Sequence, residues 1–515
     1  MIIEPNSNIR IIKADLELDN LNQLTFASKA AQETYFKSLP YVEIDDASYQ
    51  RKDGYIRFPE PFDEAIKYTY CMYQNEGYSN KWFYAFITNI EYLNDECCAM
   101  YLETDVFQTW QFDITYKPSF IEREMLSVAD DTIGANTQPE NLETGDFIST
   151  LLQPSNTYFS ETCYCVATTK KWFNSYTITQ QLVPTGCYYQ AFDSIYGVQD
   201  FMDMIDQNGG ADSVVAVFVC PKIFFSSFAP STGISGNVST VYNFETSQTI
   251  EVTHVNYLGN EYTPKNKKLF TYPYSYLQVS NHSGSVVNYK WEDFNLLQIS
   301  ADGKYKFKLG GVLTPSCSFY AYPINYKNMQ DCYDEGIAFG KFPIGGWTND
   351  AYTNWLTQNA INIPLQLTSS VISTVAGAAT GNAIGVASGF LGVAQTLGSI
   401  YEHSLIPPQA SGNINAGDYN FQFAHLSLEF KRISVKDEYA RVIDDFFSMY
   451  GYKTNVVKVP NLNNRSNWNF VKTINCNIVG DIPQKDIQKI KDMFNNGITL
   501  WHNPLTFLDY SQTNS

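Results

Sequence analysis

The sequence predicts a mainly β chain with minor α content, a β-rich α+β protein of several domains. Strand-period alternation recurs from the N-terminus to about residue 341, aromatic residues are abundant where charge is scarce, and helical spacing gathers near the C-terminus. Aromatics form 15% of the 515 residues and charged residues 17%, the latter below the ~25% of an average soluble domain. Tyr and Phe pack well on pleated faces, and aromatic enrichment with charge depletion also marks subunit interfaces. The length exceeds one ordinary core and implies roughly two to four domains.

Taken in order, Ser28 is placed to cap a helix running to Phe36. Trp82, Tyr84 and Phe86 sit two apart, as residues on one face of a strand must. Ile90–Leu93 leads into the turn-forming Asn94-Asp95-Glu96, after which Cys98, Met100 and Leu102 resume the alternation, so a hairpin is expected. In residues 147–341 short apolar runs alternate with polar clusters. Val214–Cys220 (VVAVFVC) has the continuous apolar character of a buried strand, and Ser231–Ser239 is expected to be a loop between such strands. The pattern predicts sandwich- or barrel-like β domains.

Two amphipathic helices are expected near the end. Ser434-Val-Lys-Asp437 resembles a capping box and precedes Tyr439, Val442, Ile443, Phe446, Phe447 and Tyr450 at helical spacing, with Gly451 as a stop. From Pro483 to Asn495, Ile487, Ile490, Met493 and Phe494 share a face, Gly497 ends the run, and Ile498–Trp501 returns to a strand. The chain thus divides into consecutive blocks: an N-terminal β domain (1–146), a middle β-rich region (147–345), a hydrophobic loop insertion (346–428) and a C-terminal α+β region (429–515).

That insertion departs most from ordinary composition. No Asp, Glu, Lys or Arg occurs from Ala351 to Tyr401, and only Glu402 and Asp418 carry charge as far as Leu428. Its heart, Val371–Ile400, exceeds the ~20 residues that span a bilayer as a helix. Its Gly, Ala, Ser and Thr content, with Asn382 and Gln395, is unlike a standard transmembrane helix. Gly377, Gly381, Gly385 and Gly389 recur every fourth residue, a spacing that lets helix backbones approach closely in lipid. Apolar mass comes from Ile361, Val371, Ile372, Val375, Ile384, Val386, Phe390, Leu391, Val393, Leu397 and Ile400. Pro364, Pro407, Pro408, Gly412 and Gly417 are candidate hinges. A flexible surface loop or a buried helix is the plainer reading of such a run. Its length and lack of charge favour a segment that must be sheltered, since an exposed patch of this size invites aggregation.

The formal net charge is -19, opposite in sign to the basic footprint of a DNA-binding chain, but suited to a wall past which DNA slides. The ten cysteines are scattered, and Met1–Arg10 lacks the apolar core of a secretory signal, so free, mostly buried thiols are expected. Phosphate-binding, zinc-protease and serine-hydrolase motifs are missing from the sequence. Cys163 and Cys165 are expected on one face of a strand rather than at a metal. His254, His282, His403, His425 and His502 are dispersed, and Asp130-Asp131 and Asp444-Asp445 are expected to be solvated loop or helix charge. No catalytic residue, metal or cofactor is assigned.

Several stretches carry a resemblance. They are Ser48-Tyr-Gln-Arg-Lys-Asp-Gly54, Asn80–Thr88, Val106-Phe-Gln-Thr-Trp110 continuing to Lys117–Glu124, and Ala129–Gly134. Later come Tyr450-Gly-Tyr-Lys453, Val459-Pro-Asn-Leu462, Cys476–Gly480 and Asn496–His502. In combination they resemble the tail-knob family of small short-tailed, Picovirinae-type bacteriophages infecting Gram-positive bacteria. The resemblance implies a virion structural protein, a homohexameric tube built largely of β domains, contacts with other tail and collar proteins, and genomic DNA passing through the lumen without specific binding. It gives the 1–146 domain a tube-forming role, which the C-terminal region completes. It further implies that the hydrophobic loop plugs the channel and then enters the host cell membrane to form a pore. The other reading of an aromatic-rich β protein is a tail protein that binds a receptor or cell-wall glycan.

Overall fold

The computed structural model describes residues 7–14, 16, 20–47, 55–74, 77, 81–152, 162–172, 187–210, 213–222, 225–239, 241–242, 245–253, 261–281, 284–294, 304–312, 318–338, 344–347, 412–415 and 428–515. It is mainly β, with several sheets and few helices. Two compact units emerge. The first holds Met1–Thr144, Thr263–Leu269 and Glu438–Ser515; the second holds Gly145–Tyr262 and Phe270–Asp437.

In the first unit an antiparallel sheet runs in the order Tyr41–Ala47, Ser7–Ile12, Tyr70–Gln74, Phe83–Asn94, Cys97–Thr104, Tyr55–Phe58. The expected hairpin is its centre, turning at Asp95-Glu96. Both faces are covered, which explains the density of apolar residues. Ile9, Ile11, Cys71, Tyr73, Ala85 and Met100 pack on one side; Ile12, Tyr70, Met72, Tyr84, Phe86 and Trp82 pack on the other, around Phe36. Phe36 belongs to helix Lys29–Ser38, whose cap is Ser28 accepting from Ala31 N.

A second sheet joins the two ends of the chain. Its order is Asn22–Leu24, Ile498–Trp501, Trp468–Ile474, Ser119–Glu124, Tyr452–Lys458, with Asn22–Leu24 parallel to Ile498–Trp501. Helix Gln484–Asn496 buries Ile487, Ile490, Met493 and Phe494 and stops at Gly497. Helix Asp437–Tyr450 buries Ala440, Ile443, Asp444 and Phe447, while Val442 is 69% exposed. Gly451 follows with φ +63, and a Cβ there would collide with the Glu124 carbonyl, so only glycine closes this turn.

Three local expectations need correction. Ser434 does not cap the helix: it lies inside strand Glu429–Val435, opposite Ile148 and Ser275. Sheet pairing on both sides claims its backbone, and the helix begins three residues later. Ser231–Ser239 is not a loop, because Ile234–Ser239 is a strand held by the burial of Ile234 and Val238. Asp444 and Asp131 are not solvated. Asp444 is 0% exposed and the Asp131 side chain 8%, because both hold the segment Thr263–Leu269. Asp444 accepts from Lys265 N and Asn266 N; Asp131 accepts from Lys267 N and the Tyr452 hydroxyl.

Candidate functional site

The site follows from how the uncharged run is attached. In the second unit a seven-stranded sheet runs Ala229–Ser231, Ile234–Ser239, Tyr188–Phe192, Thr162–Thr168, Val214–Pro221, Ile344–Trp347, Gly412–Asn415. Val214–Pro221 is buried on both sides, as its continuous apolar character required. Ala216, Phe218 and Cys220 pack with Cys163, Cys165, Tyr189 and Ala191 in the large core of this unit. Val214 and Val217 pack against Val198, Phe201, Met202 and Ile205. The last four belong to helix Ile195–Gln207, which the sequence reading missed. Ser194 before apolar residues at three- and four-residue spacing was a usable signal.

Strand Ile344–Trp347 pairs with Val214–Pro221 on one side and with Gly412–Asn415 on the other. The last pairing is antiparallel: Ile344 opposes Asn415, Gly345 opposes Ile414, Gly346 opposes Asn413, and Trp347 opposes Gly412. Opposed antiparallel Cα atoms lie about 4.5–5.5 Å apart. Residues 348–411 therefore leave and re-enter the sheet at one point, at its edge. Neither anchoring strand carries a charged residue.

Gly412, read as a hinge, is the residue that closes this pairing. Ile361, Pro364, Val371, Ile372, Val375, Gly377, Gly381, Ile384, Gly385, Val386, Gly389, Phe390, Leu391, Val393, Leu397, Ile400, Pro407, Pro408 and Gly417 lie outside the described residues. Among the described residues no helix is long and apolar enough to cross a membrane, and no group of three or more His, Cys, Asp or Glu is placed to hold a metal. His502, the one histidine among the described residues, bonds through Nδ1 to Thr25 Oγ1 at 2.7 Å, and burial lowers its pKa.

One carboxyl in the second unit is tuned near neutrality. Glu292 stands in the turn Trp291–Asp293 and accepts from Tyr272 N with both oxygens, at 3.1 and 3.2 Å. Burial is the main reason that its pKa is pushed up to about 7. Between the ordinary glutamate value of about 4.3 and this one, the folded chain holds a proton that the unfolded chain has released. Its contribution to stability is therefore full below pH ~4.3 and is lost as pH rises towards 7. Glu292→Gln keeps an acceptor and removes the charge. At pH 8 it is expected to be more stable than the parent, by on the order of 1 kcal/mol after allowing for solvent screening, and equal to it at pH 4. Melting curves across that range check this, and identical pH slopes for the two proteins would refute it.

Residues 240–515 match the family model described as Bacillus phage phi29, Tail knob protein gp9, C-terminal domain. Residues 5–116 match the Caudoviral major tail protein N-terminus. The chain is 27% identical to the tail knob protein gp9 of Bacillus phage B103, covering 93% of each. To that of Bacillus phage phi29 it is also 27% identical, covering 96% of each. The fold is similar to that of the bacteriophage C1 tail knob protein gp12, with a TM-score of 0.63 over 98% of each chain and 15% identity.

Proposed function

The chain belongs to the phi29 gp9 tail knob family, and on that premise we propose that it forms the distal tube of a short-tailed phage and carries, on one hairpin, a segment that acts on the host membrane. As a tail knob protein it is a structural component of the virion tail. The observation that carries the membrane reading is the pairing of Trp347 with Gly412 around a run without a single charged residue from Ala351 to Tyr401. An apolar segment tethered at one point of a sheet edge can change its surroundings without unravelling the sheet.

In this reading six copies surround a lumen through which DNA passes, repelled by an acidic chain of net charge -19. The six segments, from about residue 361 to 409, shelter one another inside the tube as a plug. At the membrane they exchange that burial for lipid. Burial is worth about 25 cal/mol per Å² of apolar surface in either place, so the two states lie close enough for one to yield to the other. Lipid demands that backbone groups pair internally, and the Gly377, Gly381, Gly385, Gly389 spacing suits close helix packing around a pore.

The test replaces residues 348–411 with Asn-Gly, the two-residue turn that best joins antiparallel neighbours such as Trp347 and Gly412. The intact assembled protein is expected to release dye from liposomes, and the shortened chain to keep its circular dichroism and assembly but to release none. Equal release by both proteins would remove the segment from the membrane step.

A further inference from the structure

We propose that Cys163 and Cys220 join in a disulfide across neighbouring strands of the seven-stranded sheet once the protein leaves the reducing cytoplasm and meets dissolved oxygen. The two residues oppose each other directly, on Thr162–Thr168 and Val214–Pro221. Their sulfurs lie 3.6 Å apart, and the Cys163 thiol also reaches the Cys220 carbonyl oxygen at 3.6 Å. Antiparallel neighbours have Cα separations of about 4.5–5.5 Å, inside the window of about 4.4–6.8 Å that a disulfide accepts. Small side-chain rotations close the remaining gap to a bond of about 2.05 Å.

In the other strand pairings a cysteine meets a different residue type. Cys165 faces Ala191 and Phe218, Cys71 faces Ala85 and Ile11, and Cys98 faces Phe58 and Tyr92. The reaction balances with dioxygen as the oxidant. Each thiol gives up its proton and one electron, the sulfur–sulfur bond forms, and dioxygen is reduced to hydrogen peroxide. Both thiols are 0% exposed. The closed fold keeps the oxidant from both sulfurs, so the step is slow and proceeds during local opening of the sheet.

A bond there would close a long loop, since the two residues are 57 apart in sequence, and would stabilise the fold mainly by restricting the unfolded chain. It would also lie one strand away from the base of the hairpin described above, because Val214–Pro221 pairs with Ile344–Trp347. A tail component spends its extracellular life under oxidising conditions, where such a staple persists.

The experiment compares full-length protein kept in reductant with protein held for days in air-saturated buffer. Both are quenched with N-ethylmaleimide in denaturant, digested without reduction and weighed by mass spectrometry. The aged sample is expected to yield a cross-linked pair of peptides holding residues 163 and 220, lighter by two hydrogens. It is also expected to melt roughly 5 °C or more higher than the reduced sample. Cys165→Ser should keep the link and Cys163→Ser should lose it. Full N-ethylmaleimide labelling of both cysteines in the aged parent overturns the proposal, whether or not the variants fold.

Discussion

Replacing Asp444 with alanine is expected to lower the stability of the first unit by about 3–5 kcal/mol, near the top of the range for one substitution. The carboxylate accepts from Lys265 N at 2.7 Å, from Asn266 N at 3.0 Å and from Asn266 Nδ2 at 2.7 Å. Hydrogen bonds to a charged group are each worth about 1.5–3 kcal/mol, and donors left buried without an acceptor cost more than the bond returned. Asn266 also donates to Ser448 Oγ and to the Asp444 carbonyl, so the anchor joins a non-local segment to one face of helix Asp437–Tyr450. Asparagine should not rescue the site, because an amide presents a donor where a second acceptor is needed. The adjacent Asp445 is exposed, and Asp445→Ala should stay within about 0.5 kcal/mol of the parent. Urea denaturation of the three variants settles the matter: equal midpoints for Asp444→Ala and Asp445→Ala would show that the anchor carries nothing.

Glu140→Ala should cost a similar ~3–5 kcal/mol, through charge rather than through backbone capture. The Glu140 side chain is 0% exposed and pairs with Arg123 through one oxygen and Lys268 through the other. It also accepts from Lys453 N at 2.9 Å. Arg123 keeps the Gly451 carbonyl at 2.6 Å and the ring of Phe446 at 4.9 Å. Removing Glu140 takes its negative charge away from two cations beside Phe446, Phe447 and Tyr452. Burial already lowers the Lys268 pKa, with Glu140 opposing that fall. Without Glu140 the lysine sheds its proton earlier in the folded chain than in the unfolded one, so the variant should regain stability as pH rises towards about 10.4. Adding Lys268→Met to Glu140→Ala should recover part of the loss at pH 7. A double variant no more stable than the single one would place the cost in packing, not in the buried charge of Lys268.

The local elements were legible because period reports which face of a segment is apolar. Trp82, Tyr84 and Phe86 marked a strand, Ser28 marked a cap, and Ile487, Ile490, Met493 and Phe494 marked a buried helix face. Helix Ile195–Gln207 carried the same kind of signal within a region dominated by strands. The charge-free run was equally plain, since composition needs no partner to be read. Period says nothing about which distant segment a face meets, and there tertiary structure alone decided. It paired Asn22–Leu24 with Ile498–Trp501 and drew Ser434 into a sheet that its capping pattern did not foretell. It buried Asp444, which looks like any helix-surface acid beside Asp445, because the amides of residues 265 and 266 reach it from far along the chain. It also set Gly412 opposite Trp347, two residues far apart in the sequence. Long-range contacts are bought with loop-closure entropy and repaid by burial and hydrogen bonding at the meeting point, a balance that only the assembled neighbours determine.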